Sequence, residues 1–164
     1  MDRVPGYEPG GRAFESLQAR HFIPHIKIFM LQKTISVTTS RRGFYEITEQ
    51  IQDLVSQSDT ISGLCNIFIK HTSASIIICE NADPDVLVDL QSYFQKLVKD
   101  GESYFHHTLE GADDMSAHIK SVLTGNSITI PITDSKLNIG IWQGVFLWEH
   151  RLIPHRREII LSIT

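Results

Sequence analysis

The chain has 164 residues, 41% of them hydrophobic and 21% charged, with a formal net charge of −4 at pH 7. That length suits one domain around a single core. The mild acidity gives no electrostatic footing for nucleic acid or an anionic membrane, so neither is expected as a partner.

Residues 1–25 crowd Pro5, Gly6, Pro9, Gly10 and Gly11 together with little periodicity, and read as a flexible extension ahead of a domain spanning 26–164. The N-terminus lacks an uninterrupted apolar core and a small-residue cleavage site, so no secretory signal is expected. Lys33 to Thr39 alternates polar and apolar positions with β-branched residues, the mark of a half-buried strand. From Gly43 the period turns helical, with Phe44, Ile47, Ile51, Leu54 and Val55 on one face. Leu64 to Lys70 and Ser75 to Glu80 read as strands, the second so apolar that a central place in a sheet is expected. Asp83-Pro84 opens a second helix with a cap oxygen and a first-turn proline, and Asp100-Gly101 ends it. Val86, Leu87, Leu90, Tyr93, Phe94, Leu97 and Val98 form its stripe for burial.

A third helix is expected from Asp113 to Thr124, its apolar face Met115, Ile119, Val122 and Leu123, its stop Gly125-Asn126. Ser127 to Thr133, Leu137 to Glu149 and Arg156 to Ile163 then read as three strands, with Asp134-Ser135 turning between the first two. The order is strand, helix, two strands, two helices, three strands. It predicts an α+β fold: a single compact domain with a largely antiparallel sheet packed with three helices. Cys65 and Cys79 sit in apolar runs and read as small buried hydrophobes, which fits a reducing, cytoplasmic setting. No apolar run approaches the length of a membrane span.

The chemistry concentrates on histidine, the side chain best suited to proton transfer near neutral pH and the commonest metal ligand. Asp114 and His118 stand four residues apart, hence on one helix face. His107, Glu110 and Gly111 lead into that helix, and together these residues read as a half-site for a metal or an acid–base pair. His71 closes a strand and is followed by Thr72, Ser73 and Ser75. Their hydroxyls either bind a substrate or satisfy their own backbone in a turn, and both readings stay open. In the last long stretch, alternation puts Trp142, Gly144, Phe146, Trp148 and His150 on one face and Glu149 on the other. Both ends of Glu149-His150 join one site only if the strand bends. Arg151, Arg156 and Arg157 form a local basic cluster, either a solvated edge or an anion site.

These segments, HTSAS at 71–75, ENADPD at 80–85, HTLEGADDMSAHIK at 107–120 and GIWQGVFLWEHR at 140–151, resemble the YjbQ-like family, also described as secondary thiamine-phosphate synthases. The resemblance runs from about residue 30 to the end. Two departures stand out: Ile141 replaces a threonine, and Leu152-Ile153-Pro154-His155 replaces a glycine-rich turn. The resemblance implies a homotrimer with a pocket near the subunit boundary, and joining of a pyrimidine pyrophosphate to a thiazole phosphate. Carried over to this chain, it implies a site of His71, His107, Glu110, Asp113, Asp114, His118, Glu149, His150 and Arg151, with Thr72 and Ser73 beside the substrate. Under it, His107, His118 and His150 hold a divalent metal, zinc or magnesium, or act as acid–base groups. Asp114 orients His118, and Arg151 grips the phosphate of a small phosphorylated metabolite. Two other readings are carried alongside: a metal-dependent hydrolase, and a non-catalytic trimeric metal- or metabolite-binding protein.

Overall fold

A computed structural model describes residues 30–164, so the expected extension, residues 1–25, lies outside the described residues. The elements are β1 (Leu31–Thr39), β2 (Gly43–Glu46), α1 (Thr48–Ser56), β3 (Ser62–Ile69), β4 (Ala74–Glu80), α2 (Pro84–Leu97), α3 (Asp114–Thr124), β5 (Ser127–Thr133), β6 (Lys136–Leu137), β7 (Gln143–Glu149) and β8 (His155–Ile163). The α+β expectation holds. The strands form two sheets, a five-stranded one in the order β1-β8-β3-β5-β6 and a three-stranded one in the order β2-β7-β4. Every recorded strand pair is antiparallel. No helix among the described residues is long and apolar enough to cross a membrane.

The two sheets enclose the core, because alternation gives each one apolar face. Cys65, Ile67, Ile69, Ile130, Ile132, Ile159, Leu161 and Ile163 come from the large sheet. Ala74, Ile76, Val145 and Leu147 come from the small one, and Ile51 and Val55 of α1 belong to the same cluster. The other face of the small sheet carries Phe44, Phe146 and Trp148. Phe44 stacks on Trp148 at 4.5 Å, and Phe94 of α2 meets the same indole edge-on at 4.8 Å. Trp148 Nε1 donates to Gln91 Oε1 at 3.0 Å. The α2 cap forms as expected, with Asp85 N donating to Asp83 Oδ1 at 2.9 Å. The turn at Asp134-Ser135 forms too, both residues at positive φ, joining β5 to β6.

Five expectations are corrected. Phe44 lies on the strand β2, opposite Trp148, because stacking on that indole outweighs a helical period. The near-apolar β4 is an edge strand of the small sheet: its composition reflects cover on both faces, not two strand neighbours. The long strand expected from Leu137 is broken, since Gly140 N donates to Gln143 Oε1 at 2.8 Å in a turn that leaves Trp142 62% exposed. The α2 stripe is half-buried at best within the helix, with Tyr93 and Leu97 exposed. Most consequential is α3, which buries Asp114, Ser116, Ala117, Lys120 and Ser121 and exposes Val122 and Leu123. Its polar face meets the small sheet because Ser121 Oγ donates to Ala74 O and Thr124 bonds Ser75, while Lys120 reaches Asp100 in the loop after α2.

Candidate metal centre

The N-terminus of α3 gathers the site. Asp114 is 1% exposed and divides its two oxygens between two tasks. Oδ1 accepts from Arg151 Nη1. Oδ2 lies 2.7 Å from His107 Nε2 and 3.2 Å from His118 Nε2. The helical spacing of Asp114 and His118 thus produces the contact that it predicts, and the loop before α3 brings His107 to the same oxygen. The three ligand atoms all lie within 4.8 Å of one another.

The tautomer of His118 sharpens this. Its Nδ1 stands 3.0 Å from Thr72 O, and a carbonyl only accepts, so Nδ1 carries a proton. In the neutral ring Nε2 then presents a lone pair to a carboxylate oxygen. Two acceptors facing each other at 3.2 Å call for a cation between them or an added proton. Tetrahedral zinc, with bonds of roughly 2.0–2.1 Å, sets its ligand atoms about 3.3 Å apart. A metal-binding histidine whose other nitrogen donates to a backbone carbonyl is the usual arrangement. The donor types suit a divalent ion, two imidazole nitrogens and one carboxylate, with His107 42% and His118 32% exposed; the 2.7 Å between His107 Nε2 and Asp114 Oδ2 is a direct hydrogen bond, closer than the separation zinc sets. Glu110 sits at the rim, its Oε1 4.0 Å from His107 Nε2. A cleft of about 400 Å³ opens beside His118, lined also by His71, Thr72 and Ser121. Another, of about 320 Å³, opens beside His107.

Other expected site residues take different places. The structure sets His150 apart from the cluster: it is fully buried, 5.0 Å from the Trp148 ring. Thr124 Oγ1 donates to Lys120 O at 2.7 Å, so it accepts from the Ser75 hydroxyl, which in turn accepts from His150 Nε2 at 2.8 Å. Nδ1 is therefore the unprotonated nitrogen, and it has no partner. Burial first, then the nearby Lys120 and Arg42 charges, pull this imidazole down to a pKa of about 3. Asp114, not His150, is the third member of the group with His107 and His118 that could hold a metal ion. Glu149 does point away from His150, as alternation requires. It accepts from Arg157 Nε at 2.7 Å and Nη2 at 2.6 Å, from Thr39 Oγ1 at 2.8 Å, and from Arg151 N at 2.9 Å.

Arg151 is engaged within the fold. Nε donates to Asp113 Oδ2 at 3.0 Å, Nη1 to Asp114, and Nη2 to Glu110 O at 2.7 Å. Asp113, expected beside substrate, holds Arg151 and accepts from Leu152 N at 2.8 Å. Burial raises the Asp113 carboxyl, but hydrogen bonds from Leu152 and Arg151 outweigh it and leave the pKa below the ordinary value. Ser73 Oγ accepts from Arg157 Nη2 at 3.1 Å, and Thr72 contributes its carbonyl to His118.

Two supporting groups escaped the sequence reading. Arg42 forks onto Asp100 (2.9 and 3.0 Å) and donates from Nε to His150 O at 2.7 Å, tying down the loop that carries His107. Lys120 is fully buried, 3.5 Å from Asp100 Oδ1, and burial holds its pKa below the usual lysine value. No local spacing announces either, because Arg42 and Asp100 meet only across the fold.

A family model described as UPF0047 protein YjbQ-like matches residues 33–164. The chain belongs to this family. It is 47% identical over 133 residues to the UPF0047 protein sll1880 of Synechocystis, covering 81% of this chain and 90% of that one. It is 41% identical over 133 residues to the UPF0047 protein YjbQ of Salmonella typhimurium, covering 80% and 96%. A crystal structure of a conserved YjbQ/UPF0047 family protein from Clostridium acetobutylicum superposes with a TM-score of 0.75 at 34% identity, covering 80% of this chain and 99% of that one. The conserved hypothetical protein TT1486 of Thermus thermophilus gives 0.73 at 32% identity, with the same coverages. The resemblance read from the sequence motifs is therefore a family membership, and the YjbQ-like fold is that of this chain.

Proposed function

We propose that this YjbQ-like protein is a metal-dependent enzyme acting on a small phosphorylated metabolite, with a divalent ion held by His107, Asp114 and His118. The observation that carries it is the Asp114 Oδ2 atom shared by two histidine nitrogens, one of them with its lone pair already turned inward. The nitrogen-rich donor set favours zinc over magnesium, which prefers an all-oxygen octahedron. An ion there would supply Lewis acidity toward a phosphoryl oxygen and lower the pKa of a water. The chain's own residues position: Thr72 O fixes the His118 ring, Arg151 holds Asp114, and Glu110 at the rim is the carboxylate placed to accept a proton. Because Arg151 is engaged by Asp113, Asp114 and the Glu110 carbonyl, charge on a bound phosphate falls to the ion. Thiamine-phosphate synthesis is the finer reading inherited from the family resemblance; hydrolysis of a phosphate ester uses the same groups.

We also propose a homotrimer in the cytoplasm. Support comes from the exposed apolar residues Leu109, Val122, Leu123, Ile141 and Trp142, an excess for a lone surface, and from two free cysteines. Titration of the metal-free chain with zinc at neutral pH tests the first reading, with light scattering on the same sample for the second. One zinc per chain is expected, with binding weakening as pH falls through the histidine range, since the imidazoles must be unprotonated. No saturable binding would end the metal reading, and a monomer mass would end the trimer.

A further inference from the structure

A third cleft, of about 410 Å³, lies where β3 ends and β8 begins, lined by residues that include Lys70, His71, Thr72, Ser73, Asn126 and Arg157. Two of its side chains carry hydrogen-bond donors that the fold leaves unused. Glu158 N donates to His71 Nε2 at 2.9 Å. That backbone donor makes Nε2 the unprotonated nitrogen, so the neutral ring carries its proton on Nδ1. Burial, then the positive charge of Arg157, lowers the His71 pKa and favours this neutral form. Nδ1 has no partner among the described residues.

Arg157 is 4% exposed. Its Nε and Nη2 are committed to Glu149 and Ser73, whereas Nη1 has no partner among the described residues. Both residues line this cleft, and neither His71 Nδ1 nor Arg157 Nη1 has a partner among the described residues. An arginine this deeply buried, with one face of its fork open, is a built donor rather than a surface charge.

We propose that this cleft is an oxyanion-binding site, in which His71 donates from Nδ1 and Arg157 from Nη1 to a carboxylate or phosphate oxygen. Lys70 already pairs with Glu158 and Arg157 with Glu149, so fixed donors rather than surplus charge select the ligand. His71 also lines the cleft beside His118, which puts a ligand seated here next to the metal cluster. The site is independent of the metal reading and is tested without metal.

Amide and imidazole nitrogen NMR of the metal-free chain, titrated separately with sodium phosphate and sodium acetate, is the experiment. The expected result is saturable shifts at His71, Thr72, Ser73 and Asn126, with the His71 proton on Nδ1. His71→Phe and Arg157→Lys should each weaken binding by about 10-fold, the loss of one charge-assisted hydrogen bond. The lysine variant keeps a counter-charge for Glu149, and His71→Phe leaves that pair untouched, so the second decides if the first unfolds. Preference for phosphate identifies a phosphoester ligand, and preference for acetate a carboxylate. Absence of saturable shifts, shifts centred on His107 and Asp114, or a His71 proton on Nε2 would each overturn the site.

Discussion

Glu149→Gln is expected to lower the unfolding free energy by about 3–5 kcal/mol, a large share of a typical domain's stability. Glu149 is fully buried and Arg157 is 4% exposed, so removing the carboxylate charge strands a guanidinium inside the protein. Thr39 and the Arg151 amide lose a charged acceptor at the same time. A double variant, Glu149→Gln with Arg157→Met, should recover much of the loss, because no buried charge then lacks a partner. Urea denaturation of the parent, Glu149→Gln, Arg157→Met and the double variant gives the coupling directly, and a Glu149→Gln variant as stable as the parent would defeat the assignment. The pH dependence follows from the same pair. Burial pushes the Glu149 carboxyl up, but hydrogen bonds from Arg157, Arg151 and Thr39 prevail and leave it below the ordinary value. Its contribution is therefore complete above the unfolded-chain value of about 4.3 and is lost as pH falls through the lower, folded one.

Arg151→Met should be nearly as damaging, at about 3–5 kcal/mol in the presence of a chelator, since it leaves Asp113 and Asp114 buried beside each other without a cation. The same substitution is expected to cut zinc affinity by about 10–100-fold, as loss of a supporting hydrogen bond to a ligand does. Bound zinc should offset part of the instability by neutralising Asp114. Chemical denaturation with and without zinc, beside a competition titration, separates these effects. A variant with full metal-free stability but weakened phosphate binding would return Arg151 to the role first expected of it.

How far such residues can be read from sequence depends on how locally each is determined. Asp114 and His118 share a face by helical geometry alone, and His107 reaches them through a short loop, so spacing suffices. Alternation likewise predicts that Glu149 and His150 diverge, which separates the buried ion pair from the imidazole. What spacing cannot supply is the partner on the far side. Arg151 reads as a phosphate donor until Asp113, Asp114 and the Glu110 carbonyl are seen to occupy it. Phe44 fits a helix until Trp148 offers it a stacking surface. The period of α3 is legible, but period says only that a helix has two faces, not which one meets the sheet.

That orientation of α3 puts polar positions among those a substitution cannot spare. Hydrophobicity would mark Val122 and Leu123 as the positions to protect and Ser116, Lys120 and Ser121 as free to vary. In this chain the serines sit against strand and loop atoms with no room or polarity to spare, while Val122 is 85% exposed. A variant effect scored by apolar content alone would therefore undervalue Ser116, Lys120 and Ser121 on the helix that holds two of the three candidate ligands.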